Sequence, residues 1–197
     1  MIRLTDYAEV RFESSDADDL LSVLTQLQGQ RFLSFLVSYG DELRLNLGEP
    51  IPFTSPRLRG RSRGAYVLGA RASSWVVVGG ATRLGAASDD VQVEGATTSR
   101  VEIATIETSR IITPEAYVVD VAVTPRNDGF AVMLKFSDQS VVLIDPRFDP
   151  DEPPDASDEP TGVEIADWEL LTPHSRILRV GPGRRWSYVD STRRPGG

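Results

Sequence analysis

Four arginines stand at alternate positions, Arg57, Arg59, Arg61 and Arg63, in the segment S-P-R-L-R-G-R-S-R-G-A-Y. Alternate residues of a β-strand share one face. A regular strand here would line the four guanidinium groups up over roughly 20 Å, at about 3.3 Å per residue. The guanidinium fork pairs with phosphate or carboxylate oxygens, so such a row could hold an anionic partner. The competing reading is a solvated loop, because Pro56, Gly60 and Gly64 interrupt the strand pattern. Either way, four like charges so close together repel unless something answers them. The acidic stretch at 149–160 is one candidate answer within the chain.

A second candidate binding cluster is Arg184, Arg185 and Trp186, after Gly181-Pro182-Gly183 and before Ser187-Tyr188. Arginine beside an aromatic ring can stack on a planar or anionic group. Gly-Pro-Gly ahead of a strand is also ordinary turn chemistry, and a tryptophan is more often a core residue. Phosphate-loop spacing with its Lys-Ser/Thr pair is absent, as is a third glycine opening a helix. Third, Asp167-Trp168-Glu169 precedes His174, and a carboxylate with an imidazole can exchange protons. His174 and Ser175 are adjacent and would face opposite ways on a strand. Pro173-His174-Ser175 therefore reads as a hairpin turn, and no G-x-S-x-G elbow occurs.

The inventory behind these clusters is narrow. There is no cysteine and one histidine, so thiolate chemistry, disulfides and His-pair metal sites are excluded. No cofactor and no metal site is expected. The acidic 149–160 run lacks the calcium-loop spacing. A pair of carboxylates in a cleft walled by tryptophan would support a hydrolase. The 29 acidic residues single out no such pair. Acids outnumber bases to give a net charge of −8, which opposes sequence-independent binding to nucleic acid. All basic residues but Lys135 are arginine, a skew that looks like coding bias. The first residues carry charges and no apolar run, so they do not read as a signal peptide. No apolar stretch reaches the ~18 residues a membrane helix needs. A cytoplasmic location without membrane contact is the expectation.

The elements that must position these side chains read mostly as strands. One helix is expected near 16–28, capped by Ser15-x-x-Asp18, with Leu20, Leu21, Leu24 and Leu27 on one face and Gly29 as a stop. Residues 31–47 read as a hairpin dividing at Gly40-Asp41, with Phe32, Phe35, Val37, Leu43, Leu45 and Leu47 inward. Residues 117–144 read as a three-stranded meander turning at Arg126–Gly129 and Ser137–Ser140. One or two further strands are expected within 91–112. Tyr66 and Trp75 recur in spacing as Ile177 and Trp186. That likeness points to an internal duplication of halves at about 30–80 and 115–190.

The expectation is a single β-rich domain over 1–197, mainly β or marginally α+β, with antiparallel hairpins in a sandwich or barrel-like body and one N-terminal helix. The Pro-rich acidic stretch 149–160 should form a mobile surface loop, and 191–197 a flexible tail. Function is expected to be non-enzymatic recognition of another protein, as an adaptor or in the manner of acidic immunity proteins and antitoxins, which meet basic partners by charge complementarity. The alternatives are a nucleic-acid or phosphate binder using the arginines, and a carboxylate hydrolase.

Overall fold

A computed structural model describes residues 14–37, 42–70, 73–80, 82–85, 111–127, 129–146, 166–174, 176–181 and 183–190. The expected acidic loop and tail, and all but the last two residues of 91–112, lie outside these. Among the described residues the chain is mainly β, with two antiparallel sheets and one helix. Helix α1 spans Ala17–Leu24 and tightens into a 3-10 turn at Thr25–Leu27. Its cap is Asp16 rather than Ser15: the Asp16 carboxylate accepts the amides of Asp18 and Asp19 at 2.8 and 3.0 Å. Leu20, Leu24 and Leu27 are buried together, as their spacing requires.

The strands are β1 Phe32–Val37, β2 Leu43–Pro52, β3 Ser62–Ala70, β4 Ser74–Gly79, β5 Thr82–Gly85, β6 Val118–Pro125, β7 Phe130–Phe136, β8 Val141–Asp145, β9 Trp168–Leu171, β10 Arg176–Gly181 and β11 Arg185–Asp190. One sheet runs β1-β2-β3-β9-β10-β11 and the other β5-β4-β8-β7-β6. Register explains the core. Phe35, Leu45, Leu68, Leu170, Leu178 and Tyr188 form one cross-strand row through all six strands of the first sheet. Leu84, Val77, Val142, Leu134 and Val121 form the matching row through all five strands of the second. These rows belong to one buried cluster, with Tyr188 half-buried against it. Phe35 and Trp75 meet edge to face, with centroids 5.5 Å apart, where the sheets join.

Two bulges interrupt strict alternation, the first of them while keeping Phe32, Phe35 and Val37 buried as read. Register slips between Phe32 and Ser34, so Phe35 follows Phe32 into the core after three residues instead of two. A second slip between Val118 and Asp120 buries Val118 and Val121 and leaves Val119 exposed. The duplication is not shown. The strands of Tyr66 and Trp75 lie in different sheets, whereas those of Ile177 and Trp186 are neighbours in one.

The meander turn at Ser137–Ser140 anchors a crossing segment. Asp138 accepts the Thr113 amide at 2.7 Å, and the Ser140 amide and hydroxyl at 3.0 and 2.5 Å. Next to Thr113, Ile111 and Ile112 are buried. Partial burial pushes the Asp138 carboxyl upward, but the hydrogen bonds from Ser140 and Thr113 outweigh it and hold the group below its ordinary value of 3.8. A depressed carboxylate stabilises the fold above its unfolded value, and that contribution fades as pH falls through the folded one. Asp138→Asn should therefore be clearly less stable than the parent at neutral pH. The gap should narrow as pH drops below 3.8. Urea midpoints of both proteins across that range measure it.

Candidate interaction site

The arginine segment closes the β2–β3 hairpin, and that hairpin outruns its neighbours. The last β1 partner of β2 is Leu47, and the last β9 partner of β3 is Val67. Beyond these, Pro50, Ile51 and Pro52 pair only with Gly64, Arg63 and Ser62. The result is a two-stranded arm that reaches on the order of 15 Å from the sheet. The chain bends into it at Gly48, where φ is +80° and the register slips between Leu47 and Pro50. Opposite the slip, Gly64 lies so close to the facing backbone that a Cβ would sit 2.5 Å from Leu47 N, 2.6 Å from Leu47 O and 2.7 Å from Tyr66 O. Gly64→Ala must push two strands apart, and overpacking of this kind costs about 1–3 kcal/mol. The urea midpoint should fall accordingly. Gly60→Ala in the same arm has open space around its Cβ and meets only the strain of φ +81°, so it should cost less.

The four arginines do not form a single row. Arg57 sits in a 3-10 turn, Pro56–Leu58, Arg59 caps it, and Gly60 reverses the chain. Arg61 and Arg63 follow on the ladder. The Phe53 amide donates to the Arg61 carbonyl at 3.1 Å, and Ile51 faces Arg63. Alternation then places Ile51, Phe53, Arg61 and Arg63 on one face of the arm. Arg63 is half-buried and donates to the Gly64 carbonyl at 3.0 Å, so it props the arm. Arg57, Arg59 and Arg61 are exposed, and among the described residues no carboxylate pairs with them.

The β2 edge of the arm is guarded against strand addition. Pro50 and Pro52 have no amide hydrogen to offer. Within the hairpin, Gly64 donates to Asn46 Oδ1 on β2 at 3.0 Å, and its carbonyl accepts from Arg63. Along β2, what the arm presents to a partner is side chains.

Arg184, Arg185 and Trp186 lie at the opposite end of the six-stranded sheet, past Ala70, Trp168 and Val180. Along β3 that end is seven residues from Arg63, roughly 23 Å. The two arginine clusters therefore cannot act as one site. Arg184 has φ +58° and donates to the Arg126 carbonyl. Trp186 is half-buried, pairs with Ser14, and donates from Nε1 to the Asp16 carbonyl at 3.0 Å. The cation–π stack in this sheet is elsewhere, with Arg176 lying 4.2 Å from the Tyr188 ring centroid. His174 is exposed in the β9–β10 turn.

Carboxylates do gather at the Arg184 end. Arg126 grips Asp145 through Nε at 3.1 Å and Nη2 at 3.2 Å. Gly129 is wedged against Asp167 Oδ2 and Pro146. Asp145 and Asp167 are only 6% and 7% exposed, and Trp168 is sealed in the core, its Nε1 donating to the Phe130 carbonyl at 2.7 Å. This arrangement ties the sheets together. Among the described residues, no group of three or more histidines and carboxylates could hold a metal ion, and no helix is long and apolar enough to cross a membrane.

Sequence reasoning found the arginines but not Phe53, Ile51 or the edge guards. The E-P-I-P-F run just before the arginines carried the signal, since paired prolines mark an unshared strand edge. No family model, curated protein or solved structure matches this chain.

Proposed function

We propose that this chain is a non-enzymatic protein-recognition module, an adaptor or immunity-like protein, whose projecting β2–β3 arm docks on an acidic surface of another protein. The observation that carries this reading is the charge segregation at the arm. The arm, residues 49–64, contains four arginines and one acid, Glu49, a net charge of +3 (4 − 1) in a chain of net charge −8. Three of the four are exposed and without an ionic partner among the described residues. The arm length exceeds the screening distance of about 8 Å at physiological salt. An anionic surface can thus bind the basic tip.

The same arginines favour a second reading, a binder of nucleic-acid phosphates. A long polyanion would also pass near the acidic body, and the affinity it gains comes chiefly from phosphates neutralised. Capture from a nuclease-treated extract of the native host separates the two. The proposal expects a protein retained by the parent chain and lost by R57A/R59A/R61A. Equal capture by the variant overturns it, and capture that vanishes on nuclease treatment favours the second reading.

A further inference from the structure

We infer that the arm's ligand is an acidic polypeptide segment carrying an apolar or aromatic side chain, received on the face formed by Ile51, Phe53 and Arg61. This rests on the protein-recognition reading and adds an apolar subsite to it. Phe53 is 38% exposed although it is among the largest side chains in the arm. It stands directly across the ladder from Arg61, whose guanidinium is exposed. Two residues back, Ile51 extends the same face and is only half-buried. Aromatic residues, phenylalanine among them, and arginine are enriched at protein interfaces.

The guarded β2 edge narrows the mode of binding. With Pro50 and Pro52 along it, the β2 edge of the arm does not extend a sheet into its partner. The partner meets side chains: carboxylates toward Arg57, Arg59 and Arg61, and one apolar group against Phe53. A purely acidic surface would leave Phe53 in water. A nucleic acid would supply bases for Phe53, but it also brings a continuous phosphate chain to a protein of net charge −8. The charge balance favours the polypeptide.

The test uses a labelled synthetic peptide of repeating Glu-Glu-Phe units, an all-Glu peptide of equal length, and oligo-thymidylate of equal charge, each titrated into the full chain by fluorescence anisotropy. The Glu-Glu-Phe peptide should bind most tightly. Phe53→Ala should weaken it roughly fivefold, as expected for a half-buried ring, and leave the all-Glu peptide unchanged. Phe53→Leu should restore most of the loss, which an unfolded arm would not. If Phe53→Ala leaves Glu-Glu-Phe binding intact, or Phe53→Leu fails to restore it, the apolar subsite is overturned while arginine docking stands. If R57A/R59A/R61A binds both peptides as the parent does, protein recognition through the arm fails as well. Tighter binding of oligo-thymidylate overturns the polypeptide assignment.

Discussion

Trp168→Ala should lose about 3–5 kcal/mol of stability, the usual cost of deleting a fully enclosed large aromatic ring. Trp168 is at 0% exposure on β9, with Ala70 and Val180 as its cross-strand neighbours in the six-stranded sheet. Its Nε1 donates to the Phe130 carbonyl at 2.7 Å, in the five-stranded sheet. The ring therefore fills the space between the sheets and also bonds across it. Domains are stable by only about 5–15 kcal/mol in total, so the variant should unfold far earlier in urea or not fold at all. Trp168→Phe separates the two roles. It keeps most of the ring volume but leaves the Phe130 carbonyl without its donor, at a cost of about 1–3 kcal/mol. A Trp168→Ala midpoint within 1 kcal/mol of the parent, by the usual error of such measurements, would contradict the packing described.

Replacing Arg57, Arg59 and Arg61 together should do the reverse, with little effect on stability and a large one on binding. None of the three makes an ion pair with a described residue, and surface substitutions away from special features stay within about 0.5 kcal/mol. Relief of like-charge repulsion could even raise the melting temperature slightly. Exposed ion pairs are worth about 0.2–1 kcal/mol each, and interface arginines commonly more than 1. Three losses of about 1 kcal/mol amount to roughly a hundredfold in affinity. The anisotropy titration with the Glu-Glu-Phe peptide reads that loss, and thermal unfolding reads the stability. Arg63→Ala offers the contrast: because Arg63 props Gly64, it should lower stability as well as binding. A triple variant that unfolds would mean the tip arginines hold the arm together.

The hairpin and meander were legible because alternation of apolar and polar residues is a direct image of a half-buried sheet. Leu43, Leu45 and Leu47 face the core as read, and so do Val132, Leu134 and Phe136. Legibility stopped at the second bulge. One extra residue at Val119 inverts which side chains point inward, and no local propensity announces it. The Trp75 and Trp186 segments look alike because both serve β-strands. Which sheet a strand joins depends on long-range pairing that local sequence does not encode. The arm was half legible. Its charge was visible in Arg57–Arg63, but its projection follows from where β1 and β9 end. Asp145 and Asp167 were two acids among 29 until the turn at Arg126–Gly129 brought them to one end of the sheets.

Mapping of amide chemical shifts in an isotope-labelled chain, during titration with the Glu-Glu-Phe peptide, tests the arm as the docking element most directly. Perturbations confined to residues 49–63, and absent in R57A/R59A/R61A, are the predicted result. Perturbations centred on the Gly183–Trp186 turn, or an unchanged spectrum at peptide excess, would contradict it.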